Sequence, residues 1–566
     1  MIDKINFKFG SYNTNTFLEL DVTPITIFVG PNNSGKSKAL IEIENFCRTG
    51  KVNSKNLIFD EILYSTNKRE EFVTELEKIE IEPNSNEEIK SEETILSKLS
   101  PQTNEVKRFK INKEHLVYES ISKNASVTMY SSSLYSRYVD IFTIRLDGTN
   151  RLNLLSEKTA GDLQKTPTSN LSQLFQRDDL RQQLRNIIFE AFNKFFVIDP
   201  TNIGKLRVGL SDTAPRNNEV ERGWGDESVE FHKKSLPISD ASDGVKAFCG
   251  ILSTIIAGDP KVMLIDEPEA FLHPSLSNLL GKEIGKSLNN SNKRLFASTH
   301  SSSFLMGCIQ SNSPLNIVRL TYKNNNSTAR VLPKEKIIHL MRNPLLRSTG
   351  VLSGLFYDAV IVTEADSDRA FYQEINERLL YKNDPRGIQN CLFLNAQNKQ
   401  TVWDIVKPLR ELGIPTVGIV DIDVFKEGGS VFTKLLEGAF IPKLQHNSYH
   451  TQRKAIYDAL NLADNNWKRN GGIMVLEEEN KQASINFINQ LQEFGVFIVK
   501  NGELESWLAP LNVEKNKSTW LLNTFIKMGE DPQSSEYLNP AKGDVWDYMG
   551  EINSWLTKED RLGIPQ

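Results

Sequence analysis

Apolar and polar positions alternate through residues 1–30 in short runs (Ile5, Phe7, Phe9; Phe17, Leu18, Leu20), a period of two that predicts strands. These lead into Pro24-Ile25-Thr26-Ile27-Phe28-Val29, an apolar, β-branched run of the length of a buried strand. Helical spacing takes over at Lys38–Ile43 and returns at Leu171–Phe196 and Ala247–Ile256. Strand-like runs recur at Ile141–Leu146, Lys261–Ile265 and Arg294–Ser298. Beyond residue 358 the pattern changes. Ala359–Thr363, Cys391–Leu394, Thr416–Val420 and Val496–Val499 read as strands, with a helix from Arg369 to Leu380, so this part predicts a parallel α/β sheet.

Between about 51 and 235 the chain carries few motifs, and Arg69–Glu93 holds a run of glutamates that reads as a solvated helix and loop. This region is expected to be a largely helical insertion, serving as an arm or for dimerisation. A hairpin-like turn at 322–328 and the segment 342–350 place the domain boundary near 345–356. The expected organisation is an ATP-site domain over 1–345 and a second domain over 350–566.

Composition narrows the classes. A chain of 566 residues exceeds one core, and a net charge of −5 excludes a uniformly basic protein, so any nucleic-acid contact would be a local patch. The four cysteines form no C-x-x-C pair, which argues against a disulfide framework or zinc site. No run reaches the roughly 18 apolar residues of a membrane span. A cytoplasmic protein without membrane contact is expected.

The chemistry begins at Gly30–Ser37, GPNNSGKS, between the strand and the first helix. Strand, G-x-x-x-x-G-K-S, helix is a phosphate-binding loop. Gly30 and Gly35 let main-chain N–H groups turn onto phosphates, with Asn33 in the loop between them. Lys36 supplies charge at the β/γ-phosphates, and Ser37 can ligate Mg²⁺. Lys261–Ile265 ends in Asp266-Glu267, where Asp266 suits Mg²⁺ and Glu267 suits a base or water-orienting role. His300 closes the next strand, at the interval where a γ-phosphate sensor would sit. Ser242 and Gly244 open the helix after S-D-A-S-D-G-V-K, either as a cap or as a clamp on a partner subunit's nucleotide.

A second chemistry follows the later strands. Glu364 succeeds Ala359–Thr363 and is followed by Asp366 and Asp368, while Asp421 and Asp423 succeed Thr416–Val420. Functional groups of parallel sheets gather at these carboxyl ends. Two carboxylates about 4 Å apart repel by about 4 kcal/mol at an effective dielectric near 20, so a converging set calls for a cation. Oxygen-only ligands favour Mg²⁺ or Mn²⁺ over zinc. The alternative is a solvated Asp-x-Asp turn with Asp366 or Asp368 capping the helix. Lys443, His446, His450, Arg453, Lys454, Lys468 and Arg469 form either a DNA-backbone patch or an ordinary solvated face.

The phosphate loop, S-x-G-x-K, DEPEAFLHP and STHSSSFL together resemble an ABC-type ATPase of the SMC-like branch. The resemblance implies two heads sandwiching two ATP molecules, with Ser242–Gly244 as signature, Asp266–Glu267 as the Walker B pair and His300 as switch histidine. No Q-loop glutamine is assigned, and neither heptads nor a zinc hook is present. The VTEADSD and DID motifs resemble a TOPRIM domain, with Ala365 where many members have glycine. In domain order the chain is similar to the OLD family of ATPase-nucleases. That similarity implies two-metal DNA cleavage by Glu364, Asp421 and Asp423 with Asp368, a further acidic ligand (Glu503 or Glu505) and a late lysine, for which Lys542 is the candidate. It also implies a homo-oligomer, a role in anti-phage defence, and a partner such as a helicase-like protein or a retron reverse transcriptase with its DNA. The alternatives are a DNA-binding sensor or clamp with a non-cleaving TOPRIM domain, and a topoisomerase- or primase-like enzyme, although no tyrosine stands in a context suited to attack on DNA.

Overall fold

In the computed structural model the strand Ile25–Val29 is buried at every position and runs straight into the phosphate loop. The structure describes residues 1–11, 17–65, 68–83, 87–100, 102, 105–121, 134–148, 150–289, 291–323, 325–348 and 350–565. The chain divides into two compact units, Met1–Lys334 and Glu335–Gln566.

The first unit is built on a six-stranded sheet, in the spatial order Asn326–Leu332, Leu315–Lys323, Ile25–Val29, Arg294–Ser298, Val262–Asp266, Thr143–Leu146. All neighbours are parallel except the first pair, a hairpin. Asn325 takes φ 61° in its turn, and the Asn324 part of the predicted turn lies outside the described residues. Parallel strands buried on both faces read as continuous apolar runs, which is why these segments stand out in the sequence. A three-stranded antiparallel sheet (Ile2–Phe7, Glu19–Asp21, Phe59–Tyr64) packs its buried Ile5, Phe7, Phe59 and Ile62 into one cluster with Phe28, Leu40 and Phe46.

The expected largely helical insertion is corrected. Residues 51–235 are mixed, with strands Glu93–Ser100 and Glu105–Asn112 pairing antiparallel and Phe195–Asp199 pairing Lys205–Ser211. The physical reason is a half-exposed sheet: Ile95, Leu96, Leu99 and Ile111 are buried while Lys107 and Lys110 form ion pairs at the surface. Charged side chains at such spacing read as a solvated face. The helical pattern at 171–196 resolves into helices Asn170–Gln176 and Asp178–Phe192, ended by Asn193 at φ 53°.

The second unit contains a four-stranded, all-parallel sheet in the order Cys391–Asn395, Ala359–Thr363, Thr416–Asp421, Val496–Val499. The first strand in sequence is thus flanked by the second and third, so chain direction across the sheet switches between Ala359–Thr363 and Thr416–Asp421. That switch opens a crevice at the carboxyl ends of these two strands. Helices Asp366–Tyr381 and Asp544–Thr557 cover the sheet through Phe371, Ile375, Trp546, Met549 and Ile552. Among the described residues no helix is long and apolar enough to cross a membrane.

Candidate functional site

The ATP-site residues converge as their spacing predicts. Gly30 has φ 143°, and a Cβ there would sit 2.0 Å from the Leu320 carbonyl oxygen, so only glycine passes beneath that strand. Asn33 (φ 61°) and Gly35 (φ 94°) complete the loop, and Gly35 stands at the N-cap of helix Lys36–Thr49. Lys36 Nζ donates to the carbonyl oxygens of Gly30 (3.0 Å) and Pro31 (2.7 Å). Burial lowers its pKa to about 8 against the pull of Glu267 and Asp266. The Ser37 hydroxyl donates to Asp266 Oδ1 at 3.0 Å, so the serine and the strand-end carboxylate share one locus.

Glu267 takes φ 50°, an uncommon backbone state for this residue type, and His300 Nε2 lies 4.0 Å from its Oε1. Burial, then the Lys36 charge, lowers the His300 pKa. Ser242 stands at the N-cap of helix Asp243–Gly258 but makes no side-chain capping bond, and it is exposed. A Cβ on Gly244 would meet the Phe271 carbonyl oxygen at 2.6 Å, which places the start of this helix against the turn that follows Glu267.

Sequence reasoning missed Arg151. Fully buried, it donates to the main-chain carbonyls of Asp266 and Glu267 (2.7 Å to the latter) and of Asp147 (2.8 Å). It thereby holds the turn that carries both carboxylates. Its partners on the carboxylate turn are backbone atoms more than a hundred residues away, so no motif announces it.

In the second unit Glu364, Asp421 and Asp423 place ligand atoms within 4.8 Å of one another. Glu364 Oε1 accepts the Asp421 N–H at 2.8 Å, which ties the ends of the adjacent strands. Burial, then the Asp421 charge, raises the Glu364 pKa to about 8. Burial also raises Asp421 to about 6, with Lys468 pulling the other way. Asp423 goes down, because Lys468 and Lys399 together outweigh its burial. Asp368 caps its helix by accepting the Ala365 N–H at 3.1 Å, and burial followed by Asp421 raises its pKa to about 7. It therefore serves the cap and faces the cluster at once. Asp366, by contrast, pairs with Arg369 (2.7 Å) and Asn395 (2.9 Å).

Glu503 and Glu505 are both nearly buried, and Glu503 lies 3.9 Å from Lys468 and 3.3 Å from Lys517. A Cβ on Gly502 (φ 126°) would sit 2.1 Å from the Lys468 carbonyl oxygen, so glycine is required for these two segments to meet.

Lys542 is the lysine that the resemblance offers as a candidate. It is exposed in the loop before helix Asp544–Thr557 and makes no ion pair with these carboxylates. Lys468 lies 2.8 Å from Asp421 and 3.0 Å from Asp423, and these two carboxylates hold its ammonium above the ordinary pKa despite burial. Lys399 adds a second ammonium, 3.3 Å from Asp423 and 2.8 Å from Glu427. The basic group singled out from the sequence is split: Arg453 is buried on the Phe425 carbonyl, and His446 and His450 bond Ile441 and Thr433. Lys443, Lys454 and Arg469 stay exposed.

The residues fit a divalent cation. Asp423 Oδ1 is buried without a hydrogen-bond partner, and the donor set consists of carboxylate oxygens, the preference of Mg²⁺ and Mn²⁺.

Comparison with known proteins agrees with both domain types. Residues 25–306 match the family described as "AAA domain, putative AbiEii toxin, Type IV TA system". Residues 355–423 match the "Overcoming lysogenization defect protein-like, TOPRIM domain". The chain is 26% identical over 321 residues to the Old nuclease of Escherichia phage P2, covering 52% of this chain and 50% of that protein. It is 36% identical over 80 residues to an ATP/GTP phosphatase of Helicobacter pylori (strain ATCC 700392 / 26695), covering 14% of this chain and 22% of that protein. The chain thus spans half or less of the length of these curated relatives. Among solved structures, an Smc head bound to the C-winged helix domain of ScpA aligns at 14% identity with TM-score 0.33, covering 60% of this chain and 99% of that one. The chain therefore joins an AAA-type ATPase domain to an OLD-like TOPRIM domain.

Proposed function

We propose that this protein binds and hydrolyses ATP and is a divalent-metal-dependent DNA endonuclease, with its ATPase domain over 1–345 and its nuclease domain over 350–566. The observation that carries the proposal is the trio Glu364, Asp421 and Asp423, gathered at the strand switch of a chain that also holds an intact phosphate loop. The similarity to the phage Old nuclease points the same way.

In the ATP site, Lys36 and the loop amides bind phosphate, Ser37 and Asp266 hold Mg²⁺, Glu267 orients water, and His300 senses the γ-phosphate. Ser242 and Gly244 clamp the nucleotide of a second head, so the working form is a homo-oligomer. In the nuclease site, Asp421, Asp423 and Glu364 are metal ligands, with Asp368, Glu503 and Glu505 around them. Bound Mg²⁺ or Mn²⁺ supplies charge stabilisation at the scissile phosphate. Lys468 presents its ammonium on the same side and balances charge there. By its similarity to the OLD family, the protein acts in the cytoplasm as an anti-phage effector with DNA as substrate. Its partner is a helicase-like protein or a retron reverse transcriptase with its DNA.

A sensor that binds DNA without cutting it is the second reading, favoured by the ion pairs of Lys468, whose ammonium supplies positive charge to both Asp421 and Asp423. Incubation of pure protein with supercoiled plasmid, Mg²⁺ or Mn²⁺, with and without ATP, separates the two. Asp421→Ala and Glu364→Ala should each lower cleavage by about 100-fold or more, as expected for groups that act in the transition state. ATP hydrolysis should stay near wild type in both, because that site is built from residues 30–300. Unchanged cleavage in both variants would remove the nuclease assignment, and no cleavage by wild type would favour the sensor.

A further inference from the structure

We propose that Glu269 is a positioning residue for ATP hydrolysis, whose carboxylate accepts the main-chain N–H of His300 and so sets that histidine against Glu267. The inference rests on the ATP-site roles proposed above for Glu267 and His300. Six hydrogen bonds define the arrangement. The Glu267 N–H donates to the Ser298 carbonyl at 2.9 Å, which ties the carboxylate turn to the strand that delivers His300. The turn closes on itself through Ala270 N–H to Glu267 O and Leu272 N–H to Glu269 O, both 2.9 Å. From inside this turn Glu269 Oε1 accepts the His300 N–H at 2.7 Å. Arg151 holds the same turn from the other side through the carbonyls of Asp266 and Glu267.

Glu269 is thus the side chain that crosses from the turn bearing the hydrolytic carboxylate to the loop bearing the switch histidine. A role in filling space does not account for it. Its second oxygen, Oε2, is buried without a hydrogen-bond partner, and an apolar side chain of similar volume would avoid the cost of burying that group. What an apolar side chain cannot do is accept the His300 amide. Losing that acceptor frees the loop just where His300 Nε2 stands 4.0 Å from Glu267 Oε1. A displacement of about 1 Å at such a point is enough to cost a large rate factor.

Steady-state ATP hydrolysis by the full chain tests this with Glu269→Ala, Glu269→Met, Glu269→Gln, His300→Ala and the Glu269→Met/His300→Ala double variant. Thermal melts identify folded samples, and Met keeps the volume should Ala fail to fold. Expected for Ala and Met is a kcat at least about tenfold lower with the KM for ATP within about twofold of wild type. Gln, which keeps an acceptor oxygen, should restore most of the rate. In the His300→Ala background the Met substitution should slow hydrolysis by less than about twofold, because the two residues act as one unit. Wild-type kcat in Glu269→Met, a raised KM at unchanged kcat, Gln as slow as Met, or full additivity with His300→Ala would each overturn the inference. If His300→Ala is slow while Glu269→Met is wild type, this inference alone fails. If His300→Ala itself hydrolyses at the wild-type rate, the switch-histidine role fails with it.

Discussion

Lys36 shows how a single side chain prepares for a ligand. With its ammonium on the carbonyls of Gly30 and Pro31, it is buried and its pKa falls to about 8, so a phosphate offering full negative charge is a better partner than the loop. Lys36→Ala should therefore abolish γ-phosphate binding, whereas Glu267→Gln should bind ATP normally and turn it over slowly, because only the water-orienting group changes. Nucleotide binding by fluorescence and phosphate release, measured on the same samples, check the pair. A wild-type turnover in Glu267→Gln would displace Glu267 from its role. These residues were legible from sequence because phosphate chemistry demands fixed spacing. Lys468 was legible only as one basic residue among seven, and Lys399 not at all. The position of Lys468 follows from Gly502, which lets the 468 segment approach Glu503, a contact made by packing and not by spacing.

At the scale of elements, two adjacent parallel strands deliver carboxylates into one crevice, and the clustering carries a cost that depends on pH. Glu364 rises from an ordinary 4.5 to about 8 by burial and the Asp421 charge. Below about 4.5 the folded and unfolded chains are both protonated at this group, and its contribution is fully present. Between about 4.5 and about 8 the unfolded chain ionises while the folded carboxyl keeps its proton, so stability is lost as pH rises through that window. Asp368, raised to about 7, acts in the same direction. Melting temperature should thus fall from pH 5 to pH 8.5 in chelator and fall less with Mg²⁺, which rewards the ionised forms. In Glu364→Gln the fall should be shallower. A melting curve that ignores both pH and Mg²⁺ would count against a cation site here. The strands that form this crevice were readable because each is an apolar run ending in an acid. Glu93–Ser100 and Glu105–Asn112 were not, since their outward positions carry lysine, arginine and glutamate, and only tertiary pairing turns that alternation into a sheet.

For the molecule as a whole, the exposed and uncapped Ser242 hydroxyl matters most, because a serine at a helix start with no capping bond is available to another chain's phosphate. If heads pair as proposed, mixing Lys36→Ala chains with Ser242→Arg chains should leave one interface of each hybrid intact and the other carrying both lesions. ATP hydrolysis by the mixture should exceed that of either variant alone. No recovery despite confirmed hybrids would remove the shared site.

The acidic crowding of the second unit also dictates an order of events. Glu364, Asp368, Asp421, Asp423, Glu503 and Glu505 act on one another there, with Lys399 and Lys468 as the ammonium groups paired to Asp423. An incoming polyanion meets these carboxylates as well as the lysines paired to them, and once the carboxylates ionise a doubly charged ion among them offsets the repulsion. For the proposed nuclease, loading is then sequential: the ion enters first, and the backbone of the nucleic acid follows into a neutralised crevice. Free chelator becomes a brake on engagement as well as on chemistry, and the steepness of that brake grows as ionic strength is lowered.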